Sequence, residues 1–129
     1  MTAITLADSV TELDISLRDN QSFFLDLVVQ QADSEGTLAP IDTTGYSASM
    51  FIRDTAQSTA TLMEITSAKG WITFGGTDGG VNILVPYADI VSGVVFSTGV
   101  YDLLVTDTSG RVFAVIQGTI TVVKGVTKL

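Results

Sequence analysis

Apolar and polar residues alternate with a period of two along most of this chain, and residues that favour turns interrupt the alternation. The pattern is clearest over residues 23–29, 46–52, 99–105 and 112–122. Successive side chains of a β-strand point to opposite faces, so this alternation is typical of strands with one buried and one exposed face. Short strands at this spacing, separated by turns, predict an all-β protein, an antiparallel β-sandwich of seven or eight short strands.

The parity within each strand predicts which side chains lie between the two sheets. The predicted core residues are Phe23, Leu25, Leu27, Tyr46, Met50, Ile52, Tyr101, Leu103, Val105, Ile120 and Val122. Gly118 is expected to form a bulge or a kink within the long final strand. Pro86 and an early aspartate predict a single helical turn over residues 86–93, too short to pack as a helix.

The length of the chain is that of one domain. It contains 129 residues without an internal repeat, and we expect one domain over 1–129. Residues 1–10 are expected to form a flexible or partner-bound arm of it. They lack the basic segment and apolar stretch of a secretion signal. No apolar run approaches the roughly 18 residues of a membrane-crossing helix, so we expect no membrane partner.

The charged residues and the missing residue types exclude several functions. Fourteen acidic and six basic residues give a net charge of −8, which disfavours nucleic acid as a partner. The chain contains no cysteine and no histidine. The commonest general base and the commonest ligands for zinc, copper and iron are therefore missing. We expect no catalytic residues, no cofactor and no metal site, and hence no enzyme.

Carboxylates are the remaining candidates for chemistry. Asp26 and Asp102 lie in the middle of predicted strands, where a pair of acids could hydrolyse glycosides. Both fall on the predicted solvent face, which favours solubilising charges over catalysis. The acids Asp33, Glu35 and Asp42 share one loop and Asp107 opens a turn, but none has the spacing of a calcium-binding loop.

A second set of apolar residues falls on the faces where polar residues are expected. The set comprises Phe24, Val28, Phe51, Trp71, Leu84, Leu104 and Phe113. Contiguous apolar patches on a surface usually mark contact sites, so we expect these residues to form an interface. The alternative is that bulges shift the parity of some strands and that some of these residues belong to the core.

The order of several short motifs resembles the immunoglobulin-like domains of tailed-phage structural proteins, of the type found at the N-terminus of the baseplate upper protein. The matching elements are Asp42-Thr43-Thr44-Gly45-Tyr46, Arg53-Asp54, Ile72-Thr73-Phe74, Gly99-Val100-Tyr101-Asp102-Leu103, the turn Asp107–Gly110, and Gly118-Thr119-Ile120-Thr121-Val122. The resemblance covers residues 20–124. It implies an immunoglobulin-like sandwich and a non-enzymatic role in a virion that is assembled in the host cytoplasm.

These expectations define one main function and two alternatives. The main one is a tail, baseplate or fibre-adaptor component that binds copies of itself, preferably as a trimer, and neighbouring virion proteins. The first alternative is a capsid decoration protein. The second is a carbohydrate- or calcium-binding module, which an exposed row of Trp71 and tyrosines would favour.

Overall fold

The computed structural model describes residues 2–5 and 10–129, and these contain eleven strands and one short helix. Sheet A contains β1 (Thr2–Thr5), β4 (Phe23–Ala32), β5 (Leu38–Pro40), β8 (Ile72–Phe74) and β9 (Gly80–Val85). Sheet B contains β2 (Thr11–Glu12), β3 (Ile15–Arg18), β6 (Ser47–Arg53), β7 (Met63–Thr66), β10 (Thr98–Thr106) and β11 (Val112–Val123). The predicted all-β class is confirmed, and the two sheets pack as a sandwich-like arrangement.

Both sheets are mixed, whereas the sequence predicted purely antiparallel pairing. Sheet A has the order β1-β4-β9-β8, with β5 paired to β4. Sheet B has the order β2-β11-β10-β6-β7, with β3 also paired to β11. Strands β1, β2 and β3 run parallel to their partners. All three come from the N-terminal segment, which contributes strands to both sheets. These short strands and β5 also explain why the predicted seven or eight strands are too few.

Part of the predicted N-terminal arm is a strand of sheet A. Thr2–Thr5 pairs with residues 27–30 of β4, and Ile4 is buried in the core. Residues 1 and 6–9, the remainder of the arm before Val10, lie outside the described residues.

The core lies between the two sheets, as the strand parity predicted. Eight of the eleven predicted core residues are buried, and Leu25, Tyr46 and Val122 are partly buried and pack against them. The parity of β4, β6 and β10 was therefore assigned correctly. Val94 and Ile90 extend the core beyond the strands.

The final strand contains a bulge, but it lies at Val115 and not at Gly118. Leu103 pairs with Ile116, whereas the next residue, Leu104, pairs with Ala114. Val115 is the extra residue, and both it and Ile116 are buried. A bulge of this kind reverses the parity of the residues that precede it.

The segment after Pro86 forms a seven-residue helix, α1 (Tyr87–Gly93). Ile90 is fully buried, so the prediction that this segment is too short to pack was wrong. The buried side chains of Ile90 and of Val94 and Phe96, which follow the helix, anchor this segment to the core.

Candidate interaction surfaces

The seven predicted interface residues do not share one face. Phe24, Val28, Trp71 and Leu84 lie at the outer surface of sheet A. Phe51 and Leu104 lie at the outer surface of sheet B, on the opposite side of the sandwich. Phe113 lies on the core side of β11. The residues therefore belong to two separate surfaces and the core.

Phe24 and Leu84 form the most exposed apolar contact of sheet A. They are directly paired across β4 and β9, and their side chains are 67% and 55% exposed. Directly opposite side chains in a sheet have Cβ atoms about 5 Å apart, so the two side chains are neighbours. Their contact gives this face a continuous apolar area.

Trp71 extends this area beyond Leu84, whereas Val28 lies on the same face of β4 but is separated from Phe24 by Asp26. The backbone N–H of Leu84 donates to the carbonyl of Trp71 at 2.8 Å, which places Trp71 beside Leu84. The Trp71 ring is half-buried, and the Lys69 ammonium lies 4.9 Å from its centroid. Phe24, Val28, Trp71 and Leu84 are called the sheet A patch below.

Phe113 is on the core face because of the bulge at Val115. It pairs with Val105, which is buried. Its ring lies 6.5 Å from that of Tyr46 in an edge-on arrangement. For Phe113 the alternative is therefore correct: a bulge shifts the parity of the strand, and the residue belongs to the core and not to an interface.

A depression on the outer face of sheet B surrounds Phe51. Its volume is about 340 Å³, and its lining includes Phe51, Arg53, Asp102, Gln117 and Glu12. The Arg53 guanidinium lies 5.8 Å from the centroid of the Phe51 ring. The Gln117 side-chain amide donates to Glu12 Oε1 at 2.6 Å. This feature is called the Phe51 depression below.

One side chain from each of five adjacent strands forms a row across this face. The row consists of Glu64, Phe51, Asp102, Gln117 and Glu12. It places an aromatic ring between two carboxylates. Sequence reasoning identified Phe51 but missed the row, because the pairing of β7 and β2 determines which acids flank it.

A second depression of about 360 Å³ lies on the same face. Small polar and alanine side chains line most of it, and Leu104 and Val112 contribute the larger apolar groups. Leu104 is 37% exposed. The outer face of sheet B is therefore indented along β6 and β10.

Hydrogen bonds lower the pKa of four aspartates in the described residues, Asp14, Asp19, Asp42 and Asp107. Asp107 accepts hydrogen bonds from the Ser109 hydroxyl and from the backbone N–H groups of Ser109 and Arg111. These bonds, led by that of the Ser109 hydroxyl, lower the pKa of Asp107 to about 2. The backbone N–H of Gly125 and the ammonium of Lys128 likewise hold the pKa of Asp19 below its usual value.

The two aspartates considered as a catalytic pair, Asp26 and Asp102, are not brought together. Asp26 lies on the outer face of sheet A and Asp102 on that of sheet B, so the sandwich separates them. Within residues 2–5 and 10–129, no group of three acidic side chains could hold a metal ion.

Trp71 and the tyrosines do not form an exposed row. Tyr46 packs against the core, Tyr101 is buried and donates a hydrogen bond to the Leu13 carbonyl, and the Tyr87 hydroxyl accepts one from the backbone of Leu129. The feature that would favour a carbohydrate module is therefore not seen among these four residues.

No protein-family model matches the chain, and a comparison with curated proteins finds no similar sequence. In the part of the chain that the structure describes, no helix has the length and apolar character to cross a membrane.

Proposed function

We propose that this protein is a non-enzymatic structural component of a phage virion, in its tail or baseplate or as a fibre adaptor. We also propose that it assembles through the sheet A patch. The observation that carries the proposal is the exposed pair of Phe24 and Leu84 on the outer face of sheet A, near the end of the β4–β9 pairing. The resemblance of residues 20–124 to phage immunoglobulin-like domains supplies the virion context.

The strand order supports an immunoglobulin-like topology. In that fold one sheet contains strands B, E and D in adjacent positions, and the other contains C, F and G. Here β4, β9 and β8 are adjacent in sheet A, and β6, β10 and β11 are adjacent in sheet B. Strand β7 beside β6 takes the position of C′. The parallel pairing of β1 with β4 departs from the antiparallel sheets of the family.

The sheet A patch has the character of the centre of an interface. Burying a large apolar side chain stabilises an interface by roughly 1.5–3 kcal/mol, so the exposed parts of Phe24 and Leu84 contribute about 2–4 kcal/mol together. That gain is smaller than the entropic cost of association. The complete contact must therefore include surrounding surface, about 800 Å² per partner in a standard interface.

The occupant we propose is another copy of the chain, with a trimer preferred, followed by a neighbouring virion protein. Asp26 is the one acidic side chain on the outer face of β4. Charge repulsion at this surface is therefore small compared with the net charge of −8 for the whole chain.

Sedimentation equilibrium over a range of concentrations tests the association. We expect the wild type to form oligomers and Phe24→Asp or Leu84→Asp to be monomeric while folded, because each places a charge in the apolar contact. Leu104→Asp is the matched control on the opposite sheet and should associate like the wild type. A monomeric wild type at all concentrations would contradict self-association.

Mass spectrometry and immunogold electron microscopy of purified particles test the virion role. We expect the chain in particles, with label at the tail or baseplate. Label over the capsid shell would favour the decoration alternative, and absence of the chain from particles would refute the virion role.

A further inference from the structure

The segment that follows β11 lies along the turn that joins β3 to β4. This segment, residues 124–129, is called the strap below. The backbone N–H of Gly125 donates to Asp19 Oδ1 at 2.7 Å, and the Asn20 side-chain amide donates to the Thr127 carbonyl at 2.9 Å. Two neighbouring residues of the turn therefore hold the strap at two points.

Asp19 makes most of the contacts to the strap. The residue is only 7% exposed, although it lies in a turn. Its carboxylate is 3.0 Å from the Lys128 ammonium and 3.7 Å from that of Lys124, and both lysines belong to the strap. One carboxylate thus accepts the Gly125 hydrogen bond and faces two cations, and contacts of this kind weaken when salt is added.

The far end of the strap is bound to α1. The backbone N–H of Leu129 donates to the Tyr87 hydroxyl oxygen at 2.6 Å. Tyr87 is the first residue of α1, which follows β9 of sheet A, whereas the strap follows β11 of sheet B. The closed strap therefore connects elements that follow the two sheets.

The strap is held by polar contacts and buries no apolar side chain. Its two large apolar residues, Val126 and Leu129, are 95% and 98% exposed. The hydrophobic effect, which is the main stabilising term of the sandwich core, therefore contributes little to closure. Segments with few buried apolar contacts open locally at a small free-energy cost while the rest of the protein stays folded.

Gly125 allows the strap to approach the turn closely. A Cβ atom at this position would lie 1.9 Å from Asn20 Cγ, and Asn20 can move away only by breaking its hydrogen bond to Thr127. Gly125 is not among the glycines with positive φ, so its backbone conformation is compatible with alanine. An alanine at 125 is therefore excluded from the closed strap by its side chain alone.

We propose that the strap is a conformational device that opens and closes on the turn at Asp19 and Asn20 and on α1 while both sheets stay folded. Opening exposes the Asp19 carboxylate and releases α1 from the strap, and added salt shifts the balance towards the open form. This inference goes beyond the proposed function and does not depend on it, because the residues that hold the strap are neither in the sheet A patch nor in the lining of the Phe51 depression.

Amide hydrogen exchange of the full chain, resolved by NMR at increasing urea concentrations below the unfolding transition, tests the device. The amides of Gly125 and Leu129 should be protected, but they should exchange faster than that of Leu103 and at rates that urea does not change. Added salt should accelerate both. Asp19→Asn should accelerate both roughly two- to thirtyfold, the range of two exposed ion pairs.

Gly125→Ala should remove the protection of the Leu129 amide and leave the exchange of the Leu103 amide unchanged. Val126→Ala is the matched control within the strap, and it should change neither rate. The proposal is overturned if the Gly125 and Leu129 amides are unprotected in the wild type, or if they share the urea dependence of Leu103, which would mean that the strap opens only when the sandwich unfolds. Unchanged rates in Asp19→Asn and Gly125→Ala, or equal acceleration in Val126→Ala, would overturn it as well.

Discussion

Replacing Leu103 by alanine tests how much the packing at the centre of the sandwich core contributes to the free energy of unfolding. Leu103 is fully buried, and its neighbours in the adjacent strands, Met50 and Ile116, are fully buried as well. Strands on both sides hold the backbone of β10 by hydrogen bonds, so the surroundings have little freedom to collapse into the space left by the missing atoms.

The cost has two parts. Removing three buried carbon atoms loses about 2.4 kcal/mol of transfer free energy, at about 0.8 kcal/mol each. A residual cavity of about 50 Å³ adds about 1.2 kcal/mol. We therefore expect Leu103→Ala to lower the free energy of unfolding by about 3–4 kcal/mol, a large part of the 5–15 kcal/mol typical of a domain.

Equilibrium unfolding in urea, followed by the fluorescence of the single tryptophan, Trp71, measures this loss. With a slope of about 1.5 kcal/mol per molar urea, the midpoint should fall by roughly 2 M. Leu104→Ala, one position along on the outer face, should cost below about 1.5 kcal/mol because its side chain is 37% exposed. A loss at Leu103 below about half a kilocalorie, or equal losses at both positions, would refute the assigned register.

Three further outcomes are expected. The pKa of Asp107 is about 2 in the folded protein and about 3.9 in the unfolded chain. The wild type should therefore be more stable than Asp107→Asn above about pH 4, and this advantage should disappear as the pH falls through about 2. Unfolding measured at several pH values checks this. Gly118→Ala should destabilise the fold, because its Cβ would lie 2.4 Å from the Leu13 carbonyl oxygen; an unchanged melting temperature would contradict this packing. Metal analysis of purified protein should find no stoichiometric zinc or iron, and either metal at one per chain would disprove the predicted absence of a transition-metal site.

The alternation of apolar residues determined the all-β class and most of the core. Phe23, Leu27, Met50 and Leu103 are buried as the alternation predicted, because a period of two leaves only two faces and the apolar one must avoid water. The hairpin turn at 107–110 also followed from local sequence, since an aspartate that caps its own turn needs no distant partner.

Pairing between strands distant in sequence was decided only by the tertiary structure. The parallel addition of β1, β2 and β3 depends on partners up to about a hundred residues away. The same holds for the division of the outward apolar residues between two faces. The bulge at Val115, which turns Phe113 inward, lies within the β10–β11 hairpin, but the alternation of residues 112–122 did not reveal it. Alternation states which residues share one side of a strand, but it does not state which strands lie side by side. Strand pairing alone brings Phe24 beside Leu84 and places Phe51 between two carboxylates.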